Sequence, residues 1–286
     1  MIRGAYLKIL ITGSSGQLAK EFIRYFETNS VEYNAPSESV LDITDKSKTA
    51  EIVSAYKPTH VINCAAFNLV DDAQSNPQKA FAINRDGVEN LAAACSKNNA
   101  FFVHFSTDYV FDGEKNALYT EDDKPNPLNI YAQSKLEGEE KAKTVLKHLI
   151  CRLSWVTGQG SQNFPYKVKQ WAAGGKTLKI SADEVSVPSF TFDIADACFK
   201  AIKKEAEGLF HLTNSGYASR YEFAKLYLKL KGMNNIIVPV PAGSFKCAAK
   251  RPLFTPMSNA LISSALGINI PSWEESLKKY CERYDD

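Results

Sequence analysis

From Leu7 to Trp155 the chain alternates short apolar runs with longer stretches of helical periodicity, a pattern that few folds accept. The run "LKILIT" passes through glycines into "GSSGQLAKEFIRYFETN", where Leu18, Phe22 and Phe26 recur at helical spacing. "VEYNA" follows as a strand, "DKSKTAEIVSAYKP" as a helix, "HVINCAA" as a strand, "PQKAFAINRDGVENLAAACSKNN" as one long helix and "AFFVHFST" as a further strand. The helix "SKLEGEEKAKTVL" and the strand "HLICRLSW" continue the series. Strands apolar on both faces need helices on both sides, and right-handed crossovers then give a doubly wound sheet. The expected class is α/β, a doubly wound parallel sheet of the Rossmann type with a smaller C-terminal α+β lobe.

Beyond Trp155 the texture changes: "GQGSQNFPYKVKQWAAGGKTLKI" is rich in Gly, Gln and aromatics. The expected division is a dinucleotide-binding domain over 1–155, to which 183–207 returns through one more helix, and a substrate-binding lobe over 156–182 and 208–286. The lobe takes in "LFHLTN", "NIIVPV", "SRYEFAKLYLKL" and "SWEESLKKYCERY". Ligands of open α/β sheets bind at the C-terminal edge of the strands, so the crevice between the two parts is the expected site.

Composition narrows the partners. With 286 residues, 23% charged and a net charge of +2, the chain shows no nucleic-acid footprint and no membrane-surface patch. "MIRGAYLKILITG" is too short for a span and runs straight into the first strand, with no secretory signal. Six cysteines (Cys64, Cys95, Cys151, Cys198, Cys247 and Cys281) lack CxxC spacing, which predicts reduced thiols and a cytoplasmic setting. Four histidines, none at ligand spacing, predict no metal.

Gly13 and Gly16 lie between the first strand and first helix, where a turn without side chains lets backbone N–H groups approach a pyrophosphate. Ala19 holds the third small position. No Gly-Lys-Ser/Thr follows, so the turn is not a Walker loop. The second strand ends in Asn34, Ala35, Pro36 and Ser37, with no carboxylate to repel a 2′-phosphate and no Arg to attract one. NADPH is therefore permitted and NADH not excluded. In "LDITD", Thr44 or Asp45 can cap the next helix, while Asp42 can also accept a hydrogen bond from an adenine amino group.

Thr107 and Asp108 fall just past a buried strand, and Tyr131 and Lys135 stand four residues apart on one helix face behind Pro125, Pro127 and the candidate cap Asn129. A hydroxyl at 107 can hold a carbonyl oxygen while Tyr131 protonates it, with Lys135 lowering the phenol's pKa and bonding a nicotinamide ribose. The plain alternative is a surface helix whose Tyr packs and whose Lys is solvated.

The stretch "INCAAFNLVDDAQSNPQKAFAINRDGVENLAAACSKNNAFFVHFSTDYVFDG…YTEDDKPNPLNIYAQSKLEGEE" closely resembles the dTDP-4-dehydrorhamnose reductase family of extended short-chain dehydrogenases. "ITGSSGQL", "LDITD", "CRLSW", Asn163-Phe164, "RPLF" and "SWEESL" agree with it. The resemblance implies a Thr107, Tyr131, Lys135 triad. It also implies NADPH or NADH on Gly13, Ser14, Ser15, Gly16, Gln17 and Leu18, near Asp42 and Ile43, and along Cys64, Ala65 and Ala66, in contact with Tyr131 and Lys135. A nucleotide sugar would lie near Val70, Asp108, Trp155 and Arg251, and a homodimer is compatible with the family. Each of these four has a duller alternative: core for Val70, a turn for Asp108, packing between lobes for Trp155, and a salt bridge for Arg251. The chain departs from the pattern at Ala19, Gln74, Ala132 and "DEVSVPSF", where Glu184, Ser186 and Ser189 leave the sugar's identity open.

Tyr109 stands where a 4,6-dehydratase needs a Glu base, which disfavours dehydration. An epimerase, or a non-catalytic NADP-binding subunit of the methionine adenosyltransferase type, remains compatible with the triad.

Overall fold

The computed structural model describes residues 7–161 and 163–284. The expected bounds at residues 1 and 286 lie outside them. Five strands alternate with helices in the first part of the chain: β1 (Lys8–Thr12), β2 (Glu32–Asn34), β3 (His60–Asn63), β4 (Phe101–Thr107) and β5 (His148–Leu153). A sixth strand, Gly208–His211, pairs with β5, and the order across the sheet is sixth, β5, β4, β3, β1, β2. Every pairing within it is parallel. The direction of winding reverses between β1 and β3, so their C-terminal ends diverge into a crevice.

Period-two alternation explains the two cores. Ile9 and Ile11 of β1 face one side, with Phe22, Phe26, Phe199 and Ile262 from the helices Gln17–Thr28, Thr191–Lys203 and Ala260–Leu266. Leu10 between them faces the other, with Val53, Leu91 and Ala142 from Lys46–Tyr56, Gly87–Asn98 and Ile130–Ala142. The sheet is thus covered on both faces, as fully apolar strands require.

Two details differ from expectation. "LFHLTN" supplies the sixth strand of the main sheet, not part of the smaller lobe, because Gly208–His211 completes the exposed edge of β5. The helix Ala260–Leu266 also packs on this sheet through Ile262 and Leu266. The long helix expected after Pro77 is broken by a π turn at Ala82–Asp86, between Pro77–Phe81 and Gly87–Asn98, and a short helix, Val70–Ser75, precedes it. π turns insert one residue into a helix and often mark functional positions.

The smaller lobe has its own core of Phe190, Phe223, Tyr227, Trp273, Leu277 and Tyr280. Its strands pair two by two: Thr177–Ser181 with Ile236–Val240, and Val185–Ser186 with Ala218–Ser219. Among the described residues no helix is long and apolar enough to cross a membrane.

Candidate active site

The glycine turn sits at the switch point. Gly13 has φ +65°, and a Cβ built there would lie 2.6 Å from the Ala65 nitrogen, so the chain after β1 packs directly on the chain after β3. Only glycine satisfies both conditions. Gly16 opens the helix Gln17–Thr28, which has no side-chain cap. Its first N–H groups are therefore available to an anion. Ser14 donates to the Pro36 carbonyl at 2.9 Å, folding the end of the second strand against the turn. Gln17 donates to the Val156 carbonyl and accepts from the Gly158 N–H, both at 3.1 Å. Ser15 is exposed, and Leu18 packs at the edge of the core.

Asp42 is exposed and accepts from the Thr44 N–H at 2.9 Å and the Thr44 hydroxyl at 2.8 Å, an Asx-type turn. Asp45, not Thr44, caps the next helix, accepting from the Lys48 N–H at 2.9 Å. Ile43 is buried against Gly87. After β3, Asn63 accepts from the Thr12 hydroxyl at 2.6 Å and the Ala65 N–H at 3.1 Å, which fixes Cys64, Ala65 and Ala66 beside the turn. Burial pushes the Cys64 thiol up, against a smaller downward pull from Lys135.

The helix Ile130–Ala142 is held from three sides. Asn129 caps it, accepting from the Ala132 N–H at 2.9 Å, and donates to the Lys250 carbonyl at 2.8 Å. Gln74 accepts from the Ile130 N–H at 3.2 Å. Ser134 accepts from Asn84 of the π turn at 2.9 Å, and Asn84 also holds Phe67 through both its N–H and its carbonyl. Gly138 lets the two helical backbones touch, since a Cβ there would overlap the Asn84 carbonyl oxygen. Sequence reading missed Asn84.

This scaffold brings Tyr131 and Lys135 to the end of β4. The solvated-lysine alternative fails: Lys135 is 3% exposed and donates to the Phe105 carbonyl at 2.6 Å. Burial lowers its pKa to about 8, with Glu139 and Cys64 pulling it back up. Burial likewise raises the Tyr131 phenol, opposed by a hydrogen bond from Thr107. Thr107 and Lys135 are buried and Tyr131 is half-buried, and Tyr109 meets the Tyr131 ring edge-on at 6.1 Å.

Asp108 has both carboxylate oxygens engaged by hydroxyls. Oδ1 accepts from Thr107 at 3.2 Å, and Oδ2 accepts from Ser154 at 2.9 Å and Thr255 at 2.6 Å. Burial raises its pKa despite these three donors. Neither Ser154 nor Thr255 was singled out from the sequence.

The remaining expected contacts are tied up in the protein itself. Arg251 makes a two-pronged pair with Asp71, at 3.2 and 2.8 Å, and Asp71 also accepts from the Ala248 and Ala249 N–H groups at 2.9 Å. Val70, half-buried, begins the helix that carries Asp71. Trp155 has φ +40°, a costly conformation for a bulky residue, and packs edge-on to Phe164 and tilted against Phe223, at 5.3 and 5.0 Å. Among the described residues no group of three or more His, Cys, Asp or Glu is placed to hold a metal ion.

Comparison with known proteins gives a consistent answer. The family model described as the RmlD substrate binding domain matches residues 7–285. The Bacillus subtilis spore coat polysaccharide biosynthesis protein SpsK is 34% identical, with 96% of this chain and 97% of that protein covered. A dTDP-4-dehydrorhamnose reductase of Sinorhizobium fredii is 33% identical over 96% of each chain. The crystal structure of dTDP-4-dehydrorhamnose reductase from Bacillus anthracis in complex with NADP superposes with a TM-score of 0.94, at 31% identity, covering 97% of this chain and 99% of that one.

Proposed function

This chain belongs to the RmlD substrate-binding-domain family, that of the dTDP-4-dehydrorhamnose reductases, and on that premise we propose that it is an NADPH-dependent reductase of a nucleotide-linked 4-keto-6-deoxy sugar. The substrate is dTDP-4-dehydrorhamnose and the product dTDP-L-rhamnose, a precursor of surface polysaccharide. The observation that carries the reading is the convergence of Thr107, Tyr131 and Lys135 beside an uncapped glycine turn at the switch point of the sheet.

The residues present fit a dinucleotide. The uncapped first turn of the helix after Gly16 and the side-chain-free approach of Gly13 to Ala65 suit a pyrophosphate, and no carboxylate ends the second strand. Gly13, Ser14, Ser15, Gly16, Gln17 and Leu18 would hold it, with Asp42 and Ile43 on the adenosine side and Cys64, Ala65 and Ala66 along its length. A bound reduced nicotinamide supplies the hydride.

The protein supplies orientation and the proton. Tyr131 is protonated at neutral pH, as any phenol is, and burial raises its pKa further instead of the lowering expected from Lys135, so the proton leaves only as the ketone oxygen gains charge. It passes its phenolic proton to the oxygen of the sugar ketone, which becomes the hydroxyl. Thr107 turns its single hydroxyl proton from Asp108 Oδ1 to the same oxygen, and the Lys135 ammonium lowers the cost of the phenolate left behind. Asp108 orients the Thr107 hydroxyl. The six free thiols support a reducing, cytoplasmic setting.

The test follows oxidation of NADPH and of NADH with dTDP-, UDP-, GDP- and CDP-linked 4-keto sugars, with product stereochemistry read by NMR. Reduction of the dTDP sugar with NADPH at least as effective as NADH is the expected result. Turnover confined to another nucleotide would overturn the substrate, and epimerisation without net NADPH consumption would overturn the reaction.

A further inference from the structure

A nucleotide sugar carries a diphosphate, and that anion must meet a cation in the crevice. The described residues put three near Tyr131, and two are already committed. Lys135 is buried and bonded to the Phe105 carbonyl. Arg251 spends both terminal nitrogens on Asp71, one of them also reaching the Ala249 carbonyl at 3.3 Å.

Arg220 is different. It opens the helix Arg220–Leu230, behind the Ser219 and Glu222 capping box. Its Nε donates to Glu184 Oε2 at 3.1 Å, while among the described residues neither terminal nitrogen has a hydrogen-bond partner. The guanidinium lies over the rings of Trp155 and Phe164, at 4.8 and 5.5 Å, so its plane is fixed without using those donors. Beside it the buried Trp155 indole nitrogen also lacks an acceptor. Burial raises the Tyr109 phenol, while the charges of Arg220 and Arg251 both pull it down, so both cations are felt at the ring that meets Tyr131. Glu184 belongs to the "DEVSVPSF" stretch where this chain leaves the family pattern.

We propose that Arg220, oriented by Glu184 and Trp155, grips the diphosphate of the nucleotide sugar through its two terminal guanidinium nitrogens. A pre-oriented planar guanidinium suits two phosphate oxygens at once. The single-pronged bond to Glu184 leaves it cationic enough to attract a dianion, whereas the two-pronged Asp71 partnership leaves Arg251 largely matched. The inference rests on the nucleotide-sugar reading above.

Calorimetric titration of dTDP and, separately, of NADPH into wild type, Arg220→Gln, Arg220→Lys and Glu184→Gln distinguishes the two. Arg220→Gln should weaken dTDP by about 10- to 100-fold, the range for losing hydrogen bonds to a charged group, with NADPH affinity and Tm unchanged. Arg220→Lys should recover part of the loss, and Glu184→Gln should keep or tighten dTDP by freeing the cation. If Arg220→Gln binds dTDP like wild type, the inference is wrong. Equal losses in Arg220→Gln and Glu184→Gln, together with a lowered Tm, would make the ion pair structural and also overturn it. A wild type that binds UDP but not dTDP overturns the substrate reading alone, and the same variants titrated with UDP then decide Arg220. A wild type that binds no nucleoside diphosphate overturns both.

Discussion

Lys135 donates its ammonium proton to the carbonyl of Phe105 at 2.6 Å, two residues before Thr107 on the same strand. That bond holds the cation at the end of β4 even though burial works against its charge.

The pH dependence follows from this. With its pKa lowered to about 8, Lys135 is charged at pH 7 and loses its proton as the pH rises through about 8. Turnover should therefore fall on the alkaline side with a limb near pH 8, well below the range of an ordinary lysine. Stability runs the other way: the unfolded chain binds the extra proton between about pH 8 and 10.5, so this group destabilises the fold below that window and stops doing so as pH rises across it. Initial rates from pH 6 to 10 check the first statement, and a Lys135→Arg variant should lose the limb.

Tyr131→Phe removes a proton donor without removing the ring that packs on Tyr109. Turnover should fall by about 10²- to 10⁴-fold. NADPH affinity and Tm should stay close to wild type. Single-turnover rates and fluorescence titration read the two separately, and near-normal turnover would take Tyr131 out of the mechanism.

Gly138→Ala sets two effects against each other. Alanine is favoured over glycine in a helix by about 1 kcal/mol, but the added carbon overlaps the Asn84 carbonyl oxygen, and overpacking costs about 1–3 kcal/mol. The backbone atom cannot swing aside as a side chain would. Net destabilisation is expected in urea melts, with lower NADPH affinity because Asn84 also holds Phe67.

Asp108 gives a counterintuitive pair. Burial raises its pKa, so its charge costs stability that is restored as the pH falls through that pKa. Asp108→Asn should be no less stable than wild type at pH 7, and its stability should vary less with pH. Asp108→Ala should be destabilised by about 1–3 kcal/mol or more, because the hydroxyls of Thr107, Ser154 and Thr255 lose their acceptor. Both variants should lose turnover, through misdirection of Thr107.

The buried Arg152–Glu139 pair, bonded at 2.9 and 2.8 Å, lies one helical turn beyond Lys135. Removing one partner should cost about 3–5 kcal/mol, while Arg152→Met with Glu139→Leu should recover much of that. Chemical denaturation of the three variants measures it.

The parts legible in the sequence are those encoded by neighbours. Strand runs, the glycine turn and the Tyr131 and Lys135 spacing each lie within a few residues, and periodicity reports them directly. What escaped notice depends on distant partners. Gly208–His211 reads as any short strand until β5 offers it an edge. Asp71 and Arg251 are 180 residues apart, and nothing local announces that a loop carrying one will fold onto a helix carrying the other. Asn84 was hidden because a π turn is invisible to a search for regular helical spacing.

The carboxylate of Asp108 also fixes when the site can exist. It joins hydroxyls from positions 107, 154 and 255, so a growing chain can carry Thr107, Tyr131 and Lys135 and most of the sheet before Thr255 has been synthesised. Contacts of such wide sequence separation form late, since loop closure must precede them. The Thr255 hydroxyl is thus among the last partners Asp108 acquires, and a chain truncated before Thr255 would leave Oδ2 to the Ser154 hydroxyl alone.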